Sequence, residues 1–374
     1  MIETTLVVLC AGNSSRFELK AKKQWLRIKN EPLWLNVTNR VASYADFSKI
    51  IVVGHTEELN YMRNFSDKII FVAGGSTRQE SMRNALEEVR SKYVMVTDAA
   101  RCCVPKNIIV TLLENKMNGS SIVPCLKVND TVIYNNQTID REEVKLIQTP
   151  QLSNTDILKK ALNTDLEFTD DSSAVKNIGE TVFYIKGSNQ SKKLTFGDEL
   201  EDIACLEKPS NNYFTGQGLD IHQFEDNKQM VLGGVKIDSS YGFKAHSDGD
   251  VLIHSVIDAI LGACGAGDIG EFFPDTDSKY KDADSKVLLE HIVRFVKNVG
   301  YEIVNVDLTI LAQQPKINPY KDQIRSKMAK LLNIEKQMIN IKATTAEKMG
   351  FIGRKEGVAV QSIATLKYYD WINR

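Results

Sequence analysis

One aspartate and two histidines in the second half of the chain have the spacing of a metal site. Asp220 and His222 lie two residues apart in a strand-like segment, so their side chains point to the same face, about 6–7 Å apart. His254 lies in a helical pattern in which Asp250, His254 and Asp258 recur every four residues and share one face. One carboxylate and two imidazoles would bind Zn²⁺ and leave a fourth position for a substrate.

Each histidine has an alternative interpretation as a satisfied polar residue or a helix cap. The complete set favours a metal, because the chain contains only five histidines and three of them lie between residues 220 and 254. We therefore predict a metal site with Asp220, His222 and His254 as its ligands.

Small and cationic residues follow the first apolar run of the chain. Residues 9–17 contain Gly12 and Arg16, and Lys23 comes soon after. In a loop of small residues, backbone N–H groups can face an anion while arginine and lysine supply positive charge. Neither the Walker spacing nor the dinucleotide spacing is met, and a solvated turn is an equal alternative for this segment alone.

Three more polar segments follow strand-like runs in the same half. Residues 74–81 contain two glycines, hydroxyl groups and Arg78, and Asp130 with Thr131 follows a later run. Asp98 ends another run and is a natural ligand for Mg²⁺ beside a nucleotide. A single aspartate at a strand end is more often a helix cap, but four polar strand ends in one sheet favour a nucleoside triphosphate site.

These residues need a scaffold of alternating strands and helices. The runs that predict strands in the first half are residues 5–10, 50–53, 69–72, 93–97 and 121–123, and the amphipathic segments are 78–89 and 106–116. Unbroken apolar runs indicate strands buried on both faces. Their alternation with helices indicates a doubly wound parallel sheet, whose ligands bind at the carboxyl ends of the strands.

This pattern stops at residues 206–212, where proline, serine and asparagine predict a linker. We place the boundary at residue 211, which gives domains 1–211 and 212–374. A second α/β domain is predicted from helical patterns at residues 250–261, 285–298 and 319–332 and strand-like runs at 303–311, 339–344 and 358–366.

The composition excludes several classes of protein. In 374 residues, 47 basic and 48 acidic side chains give a net charge of −1, which argues against binding to nucleic acid by charge. There is no apolar run of about 18 residues and no signal-peptide pattern, so we expect a cytoplasmic protein with no membrane association. The six cysteines include no CxxC pair, and we expect buried thiols rather than disulfides or a zinc site.

Roughly residues 2–208 resemble the 2-C-methyl-D-erythritol 4-phosphate cytidylyltransferases. The resemblance implies a Rossmann-like nucleotidyltransferase domain with a dimerisation arm, which transfers CMP from CTP with Mg²⁺ or Mn²⁺. It implies catalytic roles for Arg16, Lys23, Lys193 and the arm residue Arg141, and substrate contacts by Gly12, Arg78, Ser81, Asp98, Arg101, Thr131 and Thr149. Ser14 stands where the family usually has glycine, and Lys22 and Cys102 stand where it has proline.

Roughly residues 213–374 resemble the 2-C-methyl-D-erythritol 2,4-cyclodiphosphate synthases. The resemblance implies Zn²⁺ on Asp220, His222 and His254, and a second divalent ion on Glu347. It implies that His246 and Thr345 assist the transition state. The implied substrate contacts are Ser247, Asp268, Ile269, Gly270, Phe273, Asp275, Asp277, Ala312, Pro315, Lys316, Thr344, Phe351 and Arg354.

Together the two resemblances predict a bifunctional enzyme of the non-mevalonate isoprenoid pathway that acts on small phosphorylated substrates. The second family forms trimers with active sites between subunits, so a trimer-based hexamer is expected. Two alternatives stay open: a C-terminal half that only oligomerises around a metal, and a transferase that uses a different sugar phosphate. Intact Thr345, Glu347 and Lys316 argue against the first, because a scaffold needs no substrate contacts.

Overall fold

The computed structural model describes residues 4–245, 248–274, 276 and 283–373. The chain divides into two compact units, Met1–Pro209 with Trp371–Arg374 and Ser210–Asp370. The end of the chain thus groups with the first unit. There Trp371 is buried and its Nε1 donates a hydrogen bond of 2.8 Å to the carbonyl oxygen of Arg27, so burial of an indole decides where this short segment belongs.

The first unit is a sheet with helices on both faces. Its strands are β1 (Thr4–Leu9), β2 (Arg27–Ile28), β3 (Glu31–Pro32), β4 (Lys49–Gly54), β5 (Ile70–Ala73), β6 (Tyr93–Asp98), β7 (Ser121–Lys127), β8 (Val132–Tyr134), β9 (Gln137–Ile139), β10 (Lys145–Ile147), β11 (Gln151–Asn154) and β12 (Val182–Lys186). Its helices are α1 (Leu33–Ala42), α2 (Leu59–Arg63), α3 (Arg78–Leu86), α4 (Lys106–Glu114), α5 (Thr155–Leu162) and α6 (Asp171–Asn177).

The strand order across the large sheet is β10-β7-β11-β6-β1-β4-β5, and β12 also pairs with β7, parallel to it. Strands β6, β1, β4 and β5 are parallel neighbours, as predicted for buried apolar runs. The purely parallel prediction is wrong beyond β6, because β11 lies antiparallel between β6 and β7. Residues near 150 have no long apolar run, so the sequence pattern did not show this strand.

The second unit packs helices against a smaller mixed sheet. Its strands are β13 (Tyr213–Asp226), β14 (Met230–Leu232), β15 (Val235–Ile237), β16 (Tyr241–Phe243), β17 (Tyr301–Leu311), β18 (Ile339–Thr344) and β19 (Gly357–Tyr368). Its helices are α7 (Val251–Cys264), α8 (Ile269–Phe272), α9 (Ser285–Asn298), α10 (Lys321–Leu332) and α11 (Gly350–Gly353). In the described part of the unit the sheet order is β16-β13-β19-β17-β18. The predicted α/β class is therefore confirmed for both halves.

Two glycines of β13 let α7 lie directly on the sheet. A Cβ at Gly216 would be 2.2 Å from the carbonyl oxygen of Ala259, and one at Gly218 would be 1.9 Å from that of Ser255. No side chain fits at such distances, so glycine alone allows this close approach of backbones. The approach brings the helix turn that carries His254 against the strand that carries Asp220 and His222.

The expectation that the cysteines are unpaired is wrong for one pair. Cys103 and Cys205 form a disulfide, 102 residues apart in sequence, while Cys10, Cys102, Cys125 and Cys264 take no part in a disulfide. No local spacing marks such a pair, because the fold alone brings the two segments together. In the described part of the chain, no helix is long and apolar enough to cross a membrane.

Candidate active sites

A cleft of about 550 Å³ opens at the carboxyl ends of the parallel strands in the first unit. The predicted residues that line it are Gly12, Arg16, Lys23, Arg78, Ser81, Asp98 and Lys193. Pairing of Leu9 with Val53 and with Asp98 places the ends of β1, β4 and β6 side by side. Three of the four predicted polar strand ends, residues 9–17, 74–81 and Asp98, therefore reach one space. Their convergence is what the topological rule for open α/β sheets predicts.

Lys193 and Arg78 pair with the acid at the end of β6, and Lys23 and Arg16 line the same cleft. Lys193 Nζ lies 2.7 Å from Asp98 Oδ2, and Lys23 Nζ donates to the carbonyl oxygen of Leu194 at 3.2 Å. Burial, with the charges of Lys193 and Arg16 nearby, lowers the pKa of Lys23. Burial would raise the pKa of Asp98, but the charges of Arg78 and Lys193 outweigh it and lower this pKa to about 2. The cleft thus holds an ionised carboxylate among cations that repel one another.

Residues at the start of α3 form the other side of this cleft. Thr77 caps the helix by accepting from Glu80 N–H, and Ser81 Oγ accepts from Gly75 N–H at 3.0 Å. Arg78 Nε lies 3.6 Å from Asp98 Oδ1. The glycine-containing turn is therefore fixed by hydroxyl groups, with its arginine aimed at the acid.

Arg101 and Thr149 do not line the cleft. Arg101 is buried, and its guanidinium donates to Thr149 Oγ1 and to the carbonyl oxygens of Ser191 and Ile147. Thr149, which precedes a cis proline, also accepts from Asp98 N–H at 3.3 Å. These two residues connect the loops around the site. A motif match shows which residues matter, but it does not distinguish contact with substrate from support behind it.

Arg141 and Thr131 lie on the segment around β8, β9 and β10, and both are exposed. Arg141 Nη1 donates to the carbonyl oxygen of Asn129 at 2.7 Å, and neither residue lines the cleft of its own chain. Exposed apolar side chains at Ile133 and Tyr134 accompany them, as expected for a segment that another surface covers.

The second site is a cluster of three potential metal ligands in the Ser210–Asp370 unit. One ligand atom each of Asp220, His222 and His254 lies within 4.8 Å of the other two. Asp220 Oδ2 is 3.1 Å from His222 Nε2 and 3.4 Å from His254 Nδ1. Burial would raise the pKa of Asp220, but the two imidazoles lower it instead. The structure thus brings together all three predicted ligands.

The far nitrogens of both rings are held by neighbouring groups. His222 Nδ1 contacts the carbonyl oxygen of Gly249 at 2.9 Å, and His254 Nε2 contacts Ser285 Oγ at 2.9 Å. These contacts turn the other nitrogen of each ring towards Asp220, as in protein metal sites. Asp220 Oδ2 is buried, and although both imidazoles lie close to it, no contact with the described residues has the geometry of a hydrogen bond. The residues present therefore fit a metal ion.

The other two acids on the predicted helix face have different roles. Asp250 is fully buried and accepts hydrogen bonds from Gly233, Gly234 and Ile253 N–H groups. It caps α7 and holds a neighbouring turn. Asp258 accepts from Ile269 N–H at 2.8 Å, which fixes the start of α8. The predicted helix is present, but of the three residues on that face only His254 belongs to the metal-ligand cluster.

Glu347 is not part of this cluster. Its Oε1 accepts a hydrogen bond of 2.6 Å from Thr345 Oγ1, and its backbone lies in the left-handed region at φ 48°. Thr344, Thr345 and Lys316 are exposed, whereas Ala312 is buried and donates to the carbonyl oxygen of Thr344 at 3.0 Å. A cis bond precedes Pro315. These residues form a second, open surface in the same unit.

The remaining predicted contacts lie around α8 and α11. Asp268 caps α8 by accepting from Glu271 N–H, and α8 contains Ile269 and Gly270. Phe273 is buried, Phe351 is partly exposed, and Arg354 pairs with Glu356 at 2.7 Å. His246, Ser247, Asp275 and Asp277 lie outside the described residues.

The sequence interpretation missed four residues that contact these sites. His55 lines the first cleft, Asp171 binds Arg78, Glu58 binds Lys22, and Ser285 contacts His254. His55 directly follows β4, so the strand-end rule had the information to find it. The other three are distant in sequence from their partners, and no local pattern marks them.

Sequence models of two known families match different parts of the chain. The sequence model of the 2-C-methyl-D-erythritol 4-phosphate cytidylyltransferases matches residues 4–206, and that of the YgbB family matches residues 213–367. The bifunctional enzyme IspD/IspF of Aliarcobacter butzleri is 68% identical over 100% of both chains, and that of Campylobacter fetus is 52% identical over 100% of both. The solved structure of the bifunctional IspDF from Campylobacter jejuni is 48% identical, covers 99% of this chain and 100% of its own, and has a TM-score of 0.88.

The matches to the bifunctional relatives extend over the whole chain. The two family matches lie on either side of the boundary between the compact units, one ending at residue 206 and the other beginning at residue 213. The chain belongs to the family of bifunctional IspD/IspF enzymes, with a cytidylyltransferase half followed by a YgbB-family half.

Proposed function

We propose that the chain performs each of its two reactions in a separate site, one in domain 1–211 and one in domain 212–374. It transfers CMP from CTP to 2-C-methyl-D-erythritol 4-phosphate with release of diphosphate. It also converts 4-diphosphocytidyl-2-C-methyl-D-erythritol 2-phosphate to 2-C-methyl-D-erythritol 2,4-cyclodiphosphate with release of CMP. The convergence of Arg16, Lys23, Lys193 and Asp98 in one cleft carries the first assignment.

In the first reaction, a phosphate monoester oxygen attacks the α-phosphorus of CTP. The nucleophile is already an anion, so the site needs charge neutralisation rather than a general base. Arg16, Lys23 and Lys193 supply three positive charges to the triphosphate and to the pentacoordinate transition state. Positioning the two anions in one cleft supplies a further part of the rate enhancement.

The nucleotide lies against the loop at Gly12 and the turn at Arg78 and Ser81. Asp98, which stays ionised far below neutral pH, would hold Mg²⁺ or Mn²⁺ beside the phosphates, and the ion would contribute further neutralisation of charge. Arg101 and Thr149 act from behind, because they fix the loops that carry Asp98 and Lys193.

The exposed arm completes the site of a second copy. Arg141 and Thr131 are exposed and do not line the cleft of their own chain, and apolar side chains beside them favour contact with another surface. We assign to Arg141 the binding of the methylerythritol phosphate in the partner's cleft. The first unit then works as a dimer.

In the second reaction, the 2-phosphate attacks the β-phosphorus of the same molecule. Asp220, His222 and His254 would hold Zn²⁺, which when bound supplies a Lewis acid towards a diphosphate oxygen. The orphaned Asp220 Oδ2 supports this assignment. Gly249 and Ser285 keep the two rings in the orientation that ligation needs.

Glu347, with Thr345 and Lys316, would face the second divalent ion and the diphosphate from a neighbouring copy. Glu347 is not a member of the three-ligand cluster, which supports a shared site between subunits, since one chain does not bring both sets together. A trimer of second units joined through dimers of first units gives the proposed hexamer.

One pair of variants tests the assignment. Arg16→Ala should abolish CTP-dependent transfer and leave CMP release from the cyclase substrate unchanged, whereas His254→Ala should do the reverse and lose bound zinc. Both activities and the zinc content are measured on each assembled variant. Loss of both reactions from either single change, in a protein of unaltered oligomeric state and melting temperature, would contradict two separate sites.

A further inference from the structure

Two residues that differ from the family pattern lie next to Lys23: Ser14, which contacts it from the phosphate loop, and Lys22, which precedes it in the chain. This inference rests on the proposed role of Lys23 in charge neutralisation. A lysine side chain reaches phosphate only if its backbone is held in place, and here the neighbouring charges of Arg16 and Lys193 repel it. Contacts on both sides of residues 22–25 hold this segment against that repulsion.

From the side of the phosphate loop, Ser14 binds the segment directly. Its hydroxyl donates to Gln24 Oε1 at 2.9 Å and accepts from the backbone N–H of Lys23 at 3.2 Å. Gln24 Nε2 in turn donates to the carbonyl oxygen of Gly12 at 2.9 Å. Ser14 has a φ of 56°, a strained region for a residue other than glycine. Glycine would adopt this backbone conformation with less strain, yet the position carries a serine whose hydroxyl makes two hydrogen bonds.

From the other side, one carboxylate binds both neighbours of the Lys23–Gln24 pair. Glu58 Oε1 pairs with Lys22 Nζ at 2.5 Å, and Glu58 Oε2 accepts from Trp25 Nε1 at 2.6 Å. The Lys22 and Glu58 side chains are 11% and 3% exposed. Glu58 ends the short 3₁₀ helix Thr56–Glu58 that follows β4, so the segment is tied to the central sheet.

Stability alone is a weak explanation for this pair. The desolvation of two charges largely cancels the attraction between them in a buried site. A buried pair does restrict geometry, since both oxygens of the carboxylate are used in fixed directions. A displacement of about 1 Å near reacting groups can cost about 100-fold in rate.

We propose that Ser14 and Glu58 are positioning residues for cytidylyl transfer. Ser14 holds the backbone of Lys23 and the side chain of Gln24 from the phosphate loop, and Glu58 holds Lys22 and Trp25 from the short helix that follows β4. Together they fix Lys23 between them, with its Nζ directed into the cleft beside Leu194 and Lys193.

The first test compares Glu58→Gln, Lys22→Met and the double variant with wild type. Each single change should lower kcat for CMP transfer at least about tenfold and change the KM for CTP less than about threefold. The double variant removes both buried charges, so it should regain the melting temperature of wild type but not its kcat. As a control, Lys29→Met removes an exposed ion pair with Glu207. It should change neither kcat nor the melting temperature.

The second test separates the Ser14 hydroxyl from the Ser14 backbone. Ser14→Ala keeps the Cβ in the strained conformation, and Ser14→Gly relieves it. Both remove the hydroxyl, so both should lower kcat to a similar extent even though the glycine variant is the more stable. Recovery of kcat in Ser14→Gly alone would show that only the backbone matters and would overturn the role of the hydroxyl.

The remaining outcomes are distinct from one another. A wild-type enzyme that does not consume CTP would contradict the proposed function itself. An active wild type with Glu58 and Lys22 variants within about twofold of its kcat would overturn the inference and leave the function intact. Recovery of kcat together with melting temperature in the double variant would show that the pair is merely structural.

Discussion

Asp171 binds the guanidinium of Arg78 with both carboxylate oxygens, at 2.8 Å and 3.0 Å, although 93 residues separate the two in sequence. The Asp171 side chain is 1% exposed, so this contact fixes the direction of the arginine from within the protein. Burial would lower the pKa of Arg78, but Asp171 outweighs it and raises the pKa. Arg78 thus reaches the edge of the nucleotide cleft as a permanently charged, oriented group.

Asp171 does not line the cleft, but replacing it should weaken CTP binding because it orients Arg78. Asp171→Asn keeps the shape but removes the charge and one acceptor, and we expect the KM for CTP to rise about tenfold. Asp165→Asn, an exposed change in the loop that precedes α6, is the control. Steady-state kinetics with varied CTP check the prediction, and an unchanged KM in a folded Asp171→Asn variant would contradict it.

Asp98 should make the first unit sensitive to acid. Its folded pKa of about 2 lies below the ordinary value of 3.8, so its contribution of roughly 2 kcal/mol to the free energy of unfolding is present above pH 4 and lost as the pH falls towards 2. The free energies of unfolding of wild type and Asp98→Asn should converge over that interval. Denaturant titrations at several pH values measure this, and curves that stay parallel would refute it.

The close approach of α7 to β13 should be essential for the metal site. Gly218→Ala places a Cβ 1.9 Å from a backbone oxygen of the helix, so we expect the second unit to be destabilised by several kcal/mol, about 3 or more, with zinc affinity and cyclase activity lost. Gly262→Ala lies on the same interface, where the nearest atom would be 3.8 Å away, and it should be tolerated. Calorimetry and zinc analysis of both variants decide the matter.

The arm should act in the partner's cleft. Arg141→Ala and Lys23→Ala are each expected to be inactive in CMP transfer. When the two variants are co-expressed, half of the dimers combine one of each and regain one intact site, so about a quarter of wild-type activity should return. Two differently tagged chains allow the mixed dimers to be isolated. Mixed dimers as inactive as their parents would place Arg141 in its own cleft.

The predicted strands and their polar ends could be found from the sequence because each depends on local patterns. Runs of apolar residues marked β1, β4, β5 and β6, and the alternation at Asp220 and His222 marked one face of β13. The site residues beyond these patterns followed from resemblance, which names residues without their surroundings. The resemblance implies a substrate contact for Arg101, for example, but it does not reveal that the guanidinium binds Thr149 and the carbonyl oxygen of Ser191.

Sequence alone determined the residue types available for chemistry: cations and an acid in the first half, and a carboxylate with two imidazoles in the second. Tertiary structure decided which of them meet. It inserted β11 antiparallel beside β6, paired Cys103 with Cys205, and kept Glu347 away from the three-ligand cluster. The physical reason is that such contacts join segments far apart in the chain, and their energy comes from packing and burial, which no local pattern records.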